Sequence, residues 1–342
     1  MRYRVLSLVL GAIFVCAALF GVVGNDVASA QEYTLQLAGV YPSTGDTPRS
    51  ISTQKLKEII ESKSDGKMKL NVYLDSMLGG DREILEATQV GNISIAAQTT
   101  APQVSFIEEL AVFDIPMLFE NLDVARAVLS GPYRKTIEQW YEKAGLKLLM
   151  LEPISYRETT SNRPLNKLED FKGLKIRTME NEFHIAFWKA LGANPTPLNF
   201  AELYVALQQG IVDAQENPYD IIWSSKFYEV QKYLTNTNHI AFIMTMVMNK
   251  DQYDSMPAEY REILDESMKE ASDILFNLAK EKESEMLASL KEKGMEISEI
   301  SPELRKQLVD AAAEVKKLVR NKLGDKAVAV DKLDEAIKNA TN

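Results

Sequence analysis

Of the 342 residues only one is cysteine, Cys16, and only two are histidine, His184 and His239. Zinc fingers, thiol enzymes and most transition-metal sites need clusters of these side chains, and all are excluded. Cys16 lies in an N-terminal apolar run, so the rest of the chain has no thiol and must be held by its core. Basic residues are outnumbered, 39 Lys and Arg against 49 Asp and Glu, and form no arm or stripe, which argues against nucleic acid as a partner. The usual catalytic signatures are missing as well: there is no nucleophile elbow, no P-loop, no HExxH pair and no GxGxxG after a strand. Neither a cofactor nor a metal is expected.

What is there is an ordinary globular balance, 46% hydrophobic and 26% charged. Arg2 and Arg4 precede an apolar run from Val5 to Val23, and Ala28-Ser29-Ala30 follows before Gln31. This is the pattern of a secretory signal peptide cleaved after Ala30, with an uncleaved anchor helix as the alternative. Cleavage leaves a chain one unit more negative than the −10 of the full sequence. It is long enough for two domains.

Strand and helix patterns alternate, which points to α/β layers. Tyr33–Val40 predicts a strand, followed by a helix to about Lys63 that Gly66 stops. Lys67–Leu74 and Ile93–Ala97 predict further strands, with Asp81 placed to cap the helix between them. Leu146–Leu151 and the alternating Met244, Met246 and Met248 read as strands, and Glu182–Leu191 and Ala201–Gln209 as helices. The methionine stripe reads as core packing rather than a copper site. From Ala258 to Lys293 there is no Gly or Pro, enough helix to span roughly 54 Å. That predicts a strut packing on both lobes, the alternative being a coiled-coil oligomerisation helix. Pro302–Leu323 and Lys326–Ala340 predict two closing helices.

Two arginines carry the chemistry. Arg157 lies in Ser155-Tyr156-Arg157-Glu158-Thr159-Thr160, and Arg177 ends the apolar strand Leu174-Lys175-Ile176-Arg177. A guanidinium at a buried strand end needs a partner, and its fork suits bidentate capture of a carboxylate or similar oxyanion. A carboxylate of the chain itself, such as Glu158 or Glu180, is the competing partner. The polar run Asp213-Ala214-Gln215-Glu216-Asn217-Pro218 offers a side-chain amide that both donates and accepts. His184, within Phe183-His184-Ile185-Ala186-Phe187-Trp188, and His239 read as packed or capping groups. Two competing classes stay open: an exported hydrolase or lyase with Glu216 or Asp213 as base, although no nucleophile or metal accompanies them, and a sensory or adhesion module.

At these residues the chain resembles a known family. The run Arg157-Glu158-Thr159-Thr160-Ser161-Asn162-Arg163-Pro164, the segment Gly173–Arg177, Leu191-Gly192-Ala193-Asn194-Pro195-Thr196-Pro197 and Gln208–Pro218 are similar to the DctP-type solute-binding proteins of tripartite ATP-independent periplasmic (TRAP) transporters. Gly79-Gly80-Asp81-Arg82, Ala111–Pro116 and Lys226–Lys232 extend the likeness over essentially the whole mature chain. The resemblance implies a two-lobed α/β periplasmic binding protein with a ligand cleft between the lobes and a long helix spanning both. One lobe is expected from residues 31–154 and about 243–282, the other from 155–242 and about 283–342. It further implies a monomer in the periplasm that captures a small organic anion and delivers it to a TRAP membrane permease, without catalysis.

Carried over position by position, the principal anion-binding arginine falls on Arg177, a second on Arg157, the amide contact on Asn217, an aromatic wall on Phe200 and a first-lobe polar position on Asp81. In sialic-acid-binding relatives a Glu and an Asn complete the first lobe. Here those positions fall on Thr99 and near Tyr41, which removes an acidic acceptor and fills space. A ligand smaller than sialic acid is therefore expected: a C4-dicarboxylate, a hydroxy acid, or a small sulfonate such as isethionate, with a sugar acid as the alternative.

Overall fold

The computed structural model describes residues 33–44 and 46–341. The expected leader and the turn residue Gly45 lie outside these. Eleven strands among the described residues form two sheets. The first combines β1 (Tyr33–Ala38), β2 (Met68–Tyr73), β3 (Ile95–Thr99), β4 (Leu146–Tyr156) and the late-returning β10 (Ala241–Asn249), in the order β2-β1-β3-β10-β4. The second combines β5 (Glu158–Ser161), β6 (Lys175–Thr178), β7 (Asn194–Pro197), β8 (Ala214–Asn217), β9 (Tyr233–Asn236) and β11 (Glu296–Glu299), in the order β11-β9-β5-β8-β6-β7. Each sheet anchors one lobe of the α/β fold.

The chain crosses from the first sheet to the second between β4 and β5 and returns between β9 and β10. The two crossings are tied together, because the Arg157 N–H donates to the Ile240 carbonyl at 2.9 Å. β4 and β10 pair antiparallel along nearly their full lengths and are buried on both faces, which is why each reads as an apolar run. Met244, Met246 and Met248 are core side chains, and Met244 also faces the cavity described below.

Helix starts follow the local chemistry. In α1 (Pro48–Lys63) Thr47 caps the first turn with Ser50 reciprocating, and Pro48 sits at the first helical position. α2 (Asp81–Gln89) departs from expectation: Gly80 is the capping residue, and Asp81 is the first residue inside the helix. α3 (Leu122–Ser130) and α4 (Arg134–Lys143) cover the first sheet, and Asn181 caps α5 (Glu182–Ala190) through its side chain. α6 (Leu203–Gln208), preceded by a 3-10 turn at Phe200–Glu202, is shorter than the run Ala201–Gln209 suggests. α7 (Tyr219–Ser224) and α8 (Lys250–Ser255) are short connectors.

α9 (Ala258–Glu292) has 35 residues and so extends about 52 Å. It packs on α1 and β4 of the first lobe and on α7 of the second, and it buries Leu264, Met268, Ala271 and Leu275 early and Met286 and Leu290 late. The strut is present as read. α10 (Pro302–Leu323) then lies against α5, and α11 (Val328–Thr341) returns to pack on α3. None of the described helices is long and apolar enough to cross a membrane.

Candidate functional site

The crossing strands place Arg157 between the sheets, where it is 2% exposed. Its Nε and Nη2 reach the Glu216 carboxylate, the latter at 2.9 Å from Oε1, and Nη2 also donates to the Asn217 Oδ1 at 3.2 Å. The partner is therefore Glu216 on β8, not Glu158 or Glu180. Antiparallel pairing of β5 with β8 sets Thr159 opposite Glu216 and so brings the Glu216 side chain within reach of the residue just before β5.

Glu216 is fully buried, and more than one cation holds it. His239 Nε2 donates at 3.1 Å, while its Nδ1 lies 2.9 Å from the Thr237 hydroxyl. His184 Nε2 lies 3.1 Å from Asp114 Oδ1, and its Nδ1 sits 3.9 Å from Glu216, a charge contact rather than a hydrogen bond. Burial works against a charged Glu216, but Arg157 and the two imidazoles outweigh it and hold the carboxyl well below its usual range. Burial also opposes a charged His184, yet Asp114 and Glu216 raise it to about 9. Burial holds His239 below its ordinary value. The two histidines are thus packed supports of the Arg157–Glu216 pair.

Arg177 is different. It is 2% exposed, at the end region of β6, and its Nε and Nη2 both donate to the Leu198 carbonyl at 2.9 and 2.6 Å. Among the described residues no carboxylate lies within ion-pair distance of it. Burial, with the neighbouring charge of Arg157, outweighs the pull of Glu216 and Asp81 and lowers its pKa to about 10. It remains a cation at neutral pH. Its guanidinium stands 6.0 Å from the centre of the Phe200 ring.

All seven residues named from the sequence, Tyr41, Asp81, Thr99, Arg157, Arg177, Phe200 and Asn217, line one cavity. Their roles differ in detail. Asn217 is engaged on both sides, receiving Arg157 and donating from Nδ2 to Gln215 Oε1 at 2.6 Å. The Tyr41 hydroxyl is spent on Thr53 at 2.9 Å, so only its ring is offered to the cavity. Asp81 is half-buried, and burial pushes its carboxyl up to about 6 despite the pull of Arg177. A second space of about 570 Å³ adjoins the first, sharing Asp81, Arg177, Met179 and Phe200 and adding Arg82, Ser105, Glu180 and Asn199.

The sequence reading missed Arg49, Gln98, Met179, Phe242 and Met244 on the wall of this cavity. Arg49 left a signal: it is a cation in the first turn of a helix that carries no acidic residue there, against the preference set by the helix dipole. The two candidate bases are poorly placed for chemistry. Glu216 is sealed behind Arg157, and Asp213 lies 3.4 Å from Lys175 on the surface, with neither lining the cavity. Among the described residues no cluster of His, Cys, Asp and Glu could hold a metal ion.

Comparison with known proteins identifies the family and the fold. Residues 41–322 match the family described as bacterial extracellular solute-binding protein, family 7. The chain is 31% identical over 289 residues to the C4-dicarboxylate-binding periplasmic protein DctP of Rhodobacter capsulatus, covering 84% of this chain and 87% of that one. The fold matches a sugar acid binding protein from Advenella mimigardefordensis in complex with galactonate, with a TM-score of 0.86 at 30% identity, covering 91% and 99% of the two chains. It also matches a TRAP periplasmic solute binding protein from Shewanella oneidensis with bound succinate, with a TM-score of 0.84 at 27% identity, covering 91% and 100%.

Proposed function

The chain belongs to the bacterial extracellular solute-binding proteins of family 7, and from that premise we propose that it captures a small organic anion in the interlobe cavity, unchanged, and delivers it to a TRAP membrane permease from the periplasm. The observation that carries this reading is Arg177: a buried guanidinium on the cavity wall whose fork is met only by a carbonyl. A buried cation without a counter-ion is costly, and an incoming oxyanion supplies what the fold withholds. Asp81, Thr99 and Tyr41 face it from the first lobe, so an anion makes contacts in the closed cleft that it lacks in the open one, which is what a closing ligand requires.

The narrow cavity, walled by Arg49, Arg157 and Arg177 and by the Phe200 and Phe242 rings, suits a C4-dicarboxylate, a short hydroxy acid or a small sulfonate such as isethionate. A sugar acid is the second reading, favoured by the adjoining space at Arg82 and Asn199. The relatives named above carry a C4-dicarboxylate, galactonate and succinate in their own descriptions. Capture without turnover fits a site in which Glu216, one of the two candidate bases, is locked against Arg157 and does not line the cavity.

The test is mass spectrometry of small molecules that co-purify with the exported protein, followed by thermal-shift screening of carboxylates, sulfonates and sugar acids. Raised melting temperature with one class of small acid, recovered chemically unchanged, is the expected result. No stabilisation by any acid, or conversion of one, would remove this function.

A further inference from the structure

Three guanidinium groups, not two, line the cavity. Arg49 is 3% exposed and sits in the first turn of α1. Its Nε donates to Asp220 Oδ2 at 2.7 Å, a link between the first-lobe helix and α7 of the second lobe. Its guanidinium carbon stands 4.8 Å from the centre of the Tyr41 ring and 5.5 Å from that of Phe242, and Arg157 stands 5.5 Å from the same Phe242 ring. Among the hydrogen bonds of the described residues none uses Nη1 or Nη2 of Arg49, and neither nitrogen is among the sealed, unpartnered atoms. For a residue so deeply placed, the remaining outlet of those N–H groups is the cavity it lines.

The three arginines are also ordered along the cavity. The adjoining space touches Arg177, Asp81 and Phe200 but not Arg49, Tyr41, Arg157 or Phe242. Arg177 therefore stands at the end beside that space and Arg49 away from it, at the far end. A fork with free N–H groups at the far end favours oxygen acceptors there, penalises an apolar end that leaves it dry and unpaired, and repels a cation.

Resting on the anion-capture reading above, we infer that Arg49 selects the far end of the ligand, so that the protein takes acids with an acceptor group, best a second oxyanion, at the end remote from Arg177. The same side chain joins the lobes through Asp220, so occupancy of its free nitrogens and closure of the cleft reinforce each other.

The experiment uses the mature chain, residues 31–342, with three probes that share a four-carbon chain: succinate, butyrate and γ-aminobutyrate, which differ only at one end. Calorimetry is expected to give succinate an advantage over butyrate of at least about tenfold, with γ-aminobutyrate weakest. Arg49→Lys keeps the charge opposite Asp220 but loses the fork, and should shrink the succinate advantage over butyrate to within about threefold. The double variant Arg49→Gln, Asp220→Asn avoids stranding a buried carboxylate, and should do the same. A parent protein that binds acids with no preference for the far end, or whose preference survives both variants, overturns the role of Arg49 alone. A parent that binds no organic acid at all overturns the capture function and this assignment with it.

Discussion

Arg157 and Glu216 meet fork to fork inside the second lobe, 2% and 0% exposed, with Nη2 2.9 Å from Oε1. The pair neutralises one of the two arginines on which the cleft was expected to turn. Repulsion between Arg157 and Arg177 is therefore largely answered within the protein, and the unmet charge is that of Arg177.

This asymmetry separates two substitutions. Arg177→Ala should cost binding on the order of 3–5 kcal/mol, because a charge-assisted contact to the ligand is lost. The unliganded variant should be no less stable in urea, since a poorly paired buried cation has gone. Glu216→Gln should behave oppositely, destabilising the fold by about 3–5 kcal/mol because Arg157 is left buried and unmatched. Urea unfolding and calorimetry on both variants check this. A destabilised Arg177→Ala protein with intact affinity would place Arg177 among the structural pairs instead.

His184 makes stability depend on alkaline pH. Asp114 and Glu216 raise it from 6.5 to about 9 in the folded state. A raised cation contributes stability that is complete below the unfolded value and disappears as pH climbs through the folded one. Urea midpoints should therefore fall between pH 6.5 and about 9, and His184→Gln should flatten that slope. A parent protein with constant stability across the window contradicts a charged His184.

Asp81 makes affinity depend on acidic pH. Burial lifts its carboxyl to about 6, with Glu83 and Glu180 adding to the lift and Arg177 and Arg157 opposing it. An anion arriving at Arg177 disfavours the ionised form further, so binding takes up a proton. Affinity for an acid that stays ionised should weaken as pH rises through about 6, and Asp81→Asn should remove the dependence. Calorimetry in buffers of different ionisation heat counts the proton directly; no uptake near that pH refutes the linkage.

The sequence was most legible where periodicity decides the structure. The strut α9 ends one residue before the predicted limit, and α5 and α10 begin at the predicted residues, Glu182 and Pro302, whereas the one cap read from the sequence, Asp81, lies inside its helix. β5 and β8 were not legible, because Glu158-Thr159-Thr160-Ser161 and Ala214-Gln215-Glu216-Asn217 are polar yet wholly buried. Their side chains are satisfied by one another: the Thr160 hydroxyl links Gln231 and Gln215 at 3.0 and 2.9 Å, and Gln215 accepts from Asn217. Hydrophobic patterning cannot reveal a strand stabilised this way. The Glu216 partner of Arg157 depends on the register of that strand pair, and Arg49 reaches the cleft only through the packing of α1 on α9 and β2.

The two lobes also approach closely beside the second space, which Asn199 lines. Gly80 caps α2 on the first lobe with an extended backbone, φ −79°, that any residue adopts. Its missing side chain matters for another reason: a Cβ there would stand 2.2 Å from Asn199 Nδ2 of the second lobe. Asn199 is not free to withdraw cheaply, because its Oδ1 accepts the Ala201 N–H at 3.2 Å and caps the following turn. Gly80→Ala should therefore hold the lobes apart and weaken ligand binding about tenfold or more while touching no ligand contact. Asn199→Gly added to Gly80→Ala opens room at the same spot and should restore most of the affinity. Small-angle scattering should register the single variant with ligand as more open than the parent, and the double variant as closed. Equal affinity and equal closure in Gly80→Ala would mean that the rim relaxes around a methyl group and that this contact sets no limit on closing.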